Sequence, residues 1–263
     1  MKNNAVPPFV ALGSRLRGIP EVLTLGVKPN FFDYSPEERQ IILAGPVVLY
    51  PTLNYAQFLT TMGKCIFPSL ETYLYADEKI KQTTLFYMQG IPHPRTRFYF
   101  RSQHGQILQD FHLPFIAKFP RASACGRGVF KITDEQSLAD YLKQIKVAYI
   151  QEFLPHERDL RVVVINYRHL IAYWREVPNG DFRANISRGG TLNYNDIPWD
   201  AVVLAEEYAR RCRLNDVGLD LILHQGTWYL IEANMQYGRT GLKGKGLVLK
   251  EEIRARLLAG ELF

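Results

Sequence analysis

Apolar runs along the chain change period from one segment to the next, and those periods predict the elements. Near the N-terminus, Phe9 to Leu12, Val22 to Val27 and Val47 to Tyr50 read as strands alternating with short helices or loops, a small α/β pattern. Gly13, Gly18, Gly26 and Gly45 stand at element ends, where turns are expected. Asp77 to Gln89 reads as a helix capped by Asp77 and ended by Gly90 and Pro92. Leu113 to Phe119 and Ala148 to Phe153 are predicted strands. Between them, Thr133-Asp134-Glu135-Gln136 has the form of a capping box opening a helix to about Lys146. Leu160 to Ile165 and His169 to Trp174 form a predicted hairpin around Asn166-Tyr167-Arg168. Ala201 to Cys212 has helical apolar spacing, and Glu251 to Leu258 is a predicted terminal helix.

The most informative stretch comes late. Val217 to Leu223 and Thr227 to Ala233 read as two strands around His224-Gln225-Gly226. A three-residue loop with Gly226 in the left-handed region pairs Leu223 with Thr227, Asp220 with Leu230 and Gly218 with Glu232. Strand side chains alternate faces. Asp220, Ile222, Trp228, Leu230, Glu232 and Asn234 then share one face, with Leu219, Leu221, Leu223, Tyr229 and Ile231 on the buried other. A two-residue loop would separate Asp220 from Glu232. Two carboxylates and an amide oxygen on one face suit Mg²⁺, which takes one or two carboxylates plus substrate phosphates. A solvated sheet face carrying polar residues is the alternative.

Composition narrows the setting. The chain has 263 residues, room for one large domain or two to three lobes. Breaks near Asp77 and near Pro155 divide it. The formal net charge of +6 is mild, and Lys and Arg are scattered without a basic run, which argues against nucleic acid as a partner. Cys65, Cys125 and Cys212 show no zinc or redox spacing, which points to a reduced, cytoplasmic setting. The start lacks the apolar core of a signal peptide. Ile41 to Tyr50, broken by Pro46, is too short to cross a membrane, so a soluble protein is expected.

Other residues could join the strip in chemistry. Lys118 ends a strand before the glycine-rich Ser123 to Val129, with Gly126 and Gly128, where free N–H groups and a lysine can hold phosphates. A plain hairpin loop also explains it. Gln151-Glu152-Phe153 ends another strand, where backbone groups could read an adenine edge beside Phe153; an ordinary strand end is the alternative. Asp159 could accept a hydrogen bond from ribose or make a surface ion pair with Arg161. Arg175, Arg183 and Arg188 fall in a stretch with Phe182, Asn185, Gly189 and Gly190. Arginine forks suit phosphate and carboxylate, and a charged surface loop is the alternative.

Taken in order, these pieces resemble the ATP-grasp superfamily and, within it, its RimK-like amino-acid ligases. The match runs from Asp77-Glu78-Lys79 and Gly90-Ile91-Pro92 through Lys118, Gly126-Arg127-Gly128, Gln151-Glu152-Phe153 and Asp159-Leu160-Arg161. It continues through Gly180 to Asn185 and Arg188-Gly189-Gly190 to Gly218-Leu219-Asp220 and Glu232-Ala233-Asn234. The resemblance implies an α/β ATP-grasp fold: a short N-terminal lobe over residues 1–76, then an ATP-grasp domain over 77–263 with a small lobe to about 153 and a large lobe after it. It implies ATP-dependent amide formation through an acyl phosphate, adding an amino acid such as glutamate to a small molecule, peptide or protein C-terminus. Another ATP-grasp phosphoryl transfer, or a non-catalytic ATP-binding regulator, are the other readings. Lys79 and Lys118 then hold phosphates, with Gly126, Gly128, Glu152, Phe153, Asp159, Asn185 and Leu230 also on the nucleotide and Leu230 under adenine. Asp220, Glu232 and Asn234 hold one or two Mg²⁺ (or Mn²⁺) ions. Arg175 and Arg183 neutralise the transferring phosphoryl, Arg188 holds the acyl phosphate or tetrahedral centre, and Ser123 to Val129 closes as a lid. Relatives are often dimers or tetramers. Met235-Gln236-Tyr237-Gly238-Arg239 departs from the family's small residue and proline after the asparagine, and the N-terminal lobe matches loosely.

Overall fold

Three sheets, laid out in chain order, organise the protein. The computed structural model describes residues 8–120, 128–177 and 190–263. The first sheet holds β1 (Phe9–Ala11), β2 (Val22–Thr24), β3 (Val48–Leu49) and β4 (Ile66–Phe67), all parallel, in the order β2-β1-β3-β4. Parallel neighbours need crossovers, and α1 (Pro36–Ala44) and α2 (Leu53–Thr61) supply two of them. The sequence pattern left these connections as short helices or loops without ranges. The start of α1 was nonetheless written in Ser35-Pro36-Glu37-Glu38: the Ser35 hydroxyl accepts from the Glu38 N–H, and the Glu38 carboxylate accepts from the Ser35 N–H.

After α3 (Leu70–Tyr75) comes α4 (Lys79–Met88). Asp77 does not cap α4 as expected. It takes a positive φ of 67° and turns the chain, its N–H donating to the Ala233 carbonyl at 3.1 Å. The second sheet contains β5 (Thr96–Phe100), then α5 (Ile107–Asp110), β6 (Phe115–Lys118), β7 (Val129–Ile132), α6 (Glu135–Leu142) and β8 (Val147–Glu152). Its strands are antiparallel in the order β5-β8-β6-β7. Asp134 caps α6, accepting from the Ser137 N–H at 2.7 Å.

The third sheet holds β9 (Arg158–Ile165), β10 (Arg168–Glu176), β11 (Thr191–Asn193), β12 (Asp216–His224) and β13 (Thr227–Asn234), in the order β11-β10-β9-β12-β13 and antiparallel. Both of its tight hairpins turn on two residues with positive φ, Asn166-Tyr167 and Gln225-Gly226. One face, with Leu160, Val162, Leu219, Leu221 and Leu230, packs on α7 (Trp199–Arg211) and on Phe86 of α4. The other face is split. Val163, Ile165, Ile171 and Tyr173 bury against the first sheet and against α9 (Leu249–Leu258), which follows α8 (Thr240–Lys243). The rest of that face looks across a cleft to the second sheet. No helix among the described residues is long and apolar enough to cross a membrane.

Candidate active site

The register of β12 and β13 differs from the expected one. The loop has two residues, Gln225 and Gly226, so His224 pairs with Thr227, Leu223 with Trp228 and Leu221 with Leu230. Unbroken, that register would set Glu232 opposite Leu219, on the core face. A bulge between Asp220 and Leu221 inserts Ile231, after which Asp220 pairs with Glu232 and Gly218 with Asn234. Asp220, Glu232 and Asn234 therefore share a face, though by a route that loop length alone would have denied. The two-residue loop, by pairing Leu230 with Leu221, also corrects the position of Leu230. It is 1 % exposed in the core with Leu219 and Leu221, while Ile231 and Ile222 line the cleft.

The cleft, about 700 Å³ of open space, lies between the second and third sheets. Ile116, Val129, Phe153, Leu154, Ile222 and Ile231 give it apolar walls; Lys118, Asp159, Arg175, Asp220 and Glu232 give it charge. An apolar pocket with a few converging polar groups is what a small ligand needs.

At the charged end, Lys118 closes β6 with only 5 % of its surface exposed. Its Nζ sits 5.6 Å from the Tyr149 ring centroid. Burial pushes its pKa down to about 8, although Glu232 pulls the other way. Lys79, the first residue of α4, is equally buried and places Nζ 3.1 Å from Glu232 Oε1. Gln82, one turn further on, accepts from the Ala233 N–H at 2.7 Å and so ties α4 to the Glu232-Ala233-Asn234 strip. Arg161 and Arg175 stand beside each other on β9 and β10. Arg161 grips Asp220 with Nε and Nη2, the latter at 2.8 Å. Arg175 donates Nε and Nη2 to the two Asp159 oxygens at 2.6 and 2.8 Å and reaches Asp220 Oδ2 at 2.9 Å. Burial would raise the Asp220 pKa, but Arg161 and Arg175 outweigh it and hold the carboxylate below its ordinary range. The Asp159–Arg161 surface pair considered from the sequence is instead a buried lattice of two carboxylates and two guanidiniums. Asp159 lines the cleft but gives both oxygens to Arg175.

At the apolar end, Glu152 and Phe153 line the wall. The Glu152 carboxylate accepts from the Arg95 N–H at 2.5 Å. Lys131 Nζ lies 4.0 Å from the Phe153 ring centroid. Gly128 has a positive φ of 80° and its carbonyl accepts from the Phe119 N–H. Gly126, Arg183, Asn185 and Arg188, with most of the expected lid, lie outside the described residues. The sequence reading missed Ile222 and Ile231 as walls, Gln82 as a staple and Arg161 as an Asp220 clamp. Two of these had a local signal: Ile222 was already placed on the Asp220 face, and Arg161 sits two residues after Asp159 on the same strand face.

Asp220, Glu232 and Asn234 are hard oxygen donors at adjoining register positions. Among the described residues no three His, Cys, Asp or Glu side chains gather at one point, which excludes a closed zinc-type cage there. Asp220 and Glu232 line the cleft, Asn234 stands next to them in register, and such a set of hard oxygens fits Mg²⁺.

Known proteins share this fold. A family model described as RimK-like ATP-grasp domain matches residues 76–258. The coenzyme gamma-F420-2:alpha-L-glutamate ligase of Methanococcus maripaludis is 26 % identical over 214 residues, 76 % of this chain and 73 % of that protein. The glutamate–LysW ligase ArgX of Sulfolobus acidocaldarius is 26 % identical over 221 residues, 80 % of this chain and 78 % of that protein. Among solved structures, the ATP-grasp ligase PsnB complexed with minimal precursor, Mg and ADP superposes with a TM-score of 0.69 at 16 % identity, covering 98 % of this chain and 99 % of that one.

Proposed function

The chain belongs to the RimK-like ATP-grasp family, and on that premise we propose that it is an ATP-dependent carboxylate–amine ligase forming an amide bond through an acyl phosphate. The observation that carries the reading is the convergence of Lys79, Lys118, Arg175, Asp220 and Glu232 at one end of a cleft whose other end is apolar. Adenine suits the apolar end, between Ile231 and Ile222 on one side and Ile116 and Val129 on the other. The polyphosphate suits the charged end, where Lys79 and Lys118 offer cations from two different elements. Asp220, Glu232 and Asn234 would hold one or two Mg²⁺ (or Mn²⁺) ions; such an ion neutralises charge on the phosphates.

The chemistry has two steps. A substrate carboxylate oxygen attacks the γ-phosphorus of ATP, and the bond to the β-phosphate oxygen breaks to release ADP. An amine then attacks the acyl carbon, gives up a proton, and phosphate leaves. Positioning and charge stabilisation account for most such catalysis. Arg175 presents a guanidinium already oriented by Asp159 toward the phosphate end, which suits it to the charge that builds on the transferring group. Arg183 supports the same charge, Arg188 the acyl phosphate or tetrahedral centre, and Asn185 and Gly126 the nucleotide; these four roles rest on the family resemblance. Both relatives named above are glutamate ligases, which supports glutamate as the amino acid, with a small molecule, peptide or protein C-terminus as the other partner. Free Cys65 and Cys212 suit a reducing cytoplasm.

The test is ADP release from the purified chain with Mg²⁺-ATP and a panel of amino acids paired with candidate carboxylates, products read by mass spectrometry. Hydroxylamine should capture the acyl phosphate as a hydroxamate. ADP release without hydroxamate or amide would refute amide formation.

A further inference from the structure

Asp216 plays no part in the chemistry above, yet its carboxylate is fully buried. It lies four residues before Asp220 on β12, on the same face, with Gly218 between them. Three donors surround it: Arg15 Nη1 and the Tyr50 hydroxyl, each 3.0 Å from Oδ2, and the Tyr237 hydroxyl, 2.8 Å from Oδ1. Arg15 and Tyr50 come from the N-terminal lobe. Tyr237 comes from the loop after Asn234. The two segments that match the family least are thus joined on one buried carboxylate. The Arg15 guanidinium also rests 4.9 Å from the Tyr50 ring centroid.

A second set of contacts runs from this centre to the active site. The Tyr237 carbonyl accepts from Arg161 Nη1 at 2.9 Å. The remaining nitrogens of Arg161 grip Asp220. Gly218 makes that route possible, because a Cβ there would lie 2.4 Å from Tyr237 Cβ and 3.1 Å from Arg161 Cδ. Both side chains lie directly on the strand where Gly218 leaves it bare.

We propose that Tyr237 is a positioning residue: its hydroxyl, anchored on Asp216, fixes the carbonyl that holds Arg161 and so sets the orientation of Asp220. The N-terminal lobe, through Arg15 and Tyr50, is then a brace for the phosphate end of the site. This rests on the reading that Asp220 faces the metal and nucleotide.

Tyr237→Phe tests it, since the ring and backbone stay and Asp216 keeps Arg15 and Tyr50. In the full chain, partners of metal ligands typically change metal affinity or activity about tenfold or more, so kcat for ADP release should fall about tenfold. The Mg²⁺ concentration for half-maximal ADP binding, read by calorimetry, should rise by a similar factor. The ATP KM should stay near wild type, while the urea midpoint should fall only modestly, because Asp216 Oδ1 loses the Tyr237 hydroxyl. Gly218→Ala, which displaces Tyr237, should reproduce the pattern in whatever fraction folds. A Tyr237→Phe protein with both kcat and Mg²⁺ dependence within about twofold of wild type overturns the proposal, as does a fall in kcat that merely tracks a fall in the urea midpoint. If the wild type releases no ADP with any substrate pair, the ligase reading fails, and the Mg²⁺ dependence of ADP binding alone decides the brace.

Discussion

Asp216 and Asp220 occupy the same strand, face the same way and are both buried, yet their surroundings give them different work. Asp216 is closed: one arginine and two tyrosine hydroxyls saturate it, and burial pushes its pKa up against the pull of Arg15. Asp220 stands opposite Glu232 at the wall of the cleft, and two arginines hold it ionised. Residue type and burial do not separate them. What separates them is the surroundings: β13 offers Asp220 a second carboxylate at the cleft wall, while Asp216 meets Arg15, Tyr50 and Tyr237. Both carboxylates have donors on both oxygens, so the difference lies in place: Asp220 and its arginines stand at the cleft wall opposite Glu232, where a cation and phosphates could share them, whereas the donors of Asp216 lie away from the cleft.

The sharpest break of that comparison is at the open end. Glu232→Gln removes a ligand charge while keeping shape, so ADP release should fall by about 10³-fold or more in a protein that still folds, though its midpoint drops as Lys79 loses a counter-charge. Activity near wild type would remove the strip from the metal site. At the closed end, Asp216→Ala should instead unfold the protein more easily by about 3 kcal/mol, because Arg15 and two hydroxyls lose their shared acceptor. Urea titration reads this directly. The two faces of β13 can be parted in the same way: Leu230→Ala should cost about 2–5 kcal/mol of stability and leave ADP affinity alone, while Ile231→Ala should weaken ADP binding at smaller cost in stability.

The smallest effect is in pH. Burial lowers Lys118 to about 8 from 10.5. Because the folded pKa lies below the unfolded one, the neutral lysine is favoured in the fold, and stability should rise as pH climbs from 8 towards 10.5. Phosphate binding needs the cation, so ADP affinity should run the opposite way, weakening about fivefold from pH 8 to one unit above it. Calorimetry from pH 7 to 9.5, with Lys118→Arg as a flat control, checks both the sign and the residue.

Much of the fold was legible because local chemistry is local. Gly226 announced a tight hairpin, Asp134 a helix start, and the apolar runs from Leu160 and Val217 the central strands. The ordered lysines, glycines and carboxylates carried the family. Short strands such as Ile66–Phe67 and helices such as Leu53–Thr61 were harder to read, because their packing partners lie far away in sequence. The amino-acid sequence by itself determined the candidate groups, hard oxygens, lysines and arginine forks, and the order in which they stand, which belongs to one family. Tertiary structure alone decided which way they point. A two-residue turn and one inserted Ile231 moved Leu230 into the core and brought Glu232 opposite Asp220, since side-chain parity along a strand depends on every intervening residue. It also decided that Asp159 serves Arg175 and that Asp216 joins two distant segments, because ion pairs between strands are fixed by register, and register is set by the whole sheet.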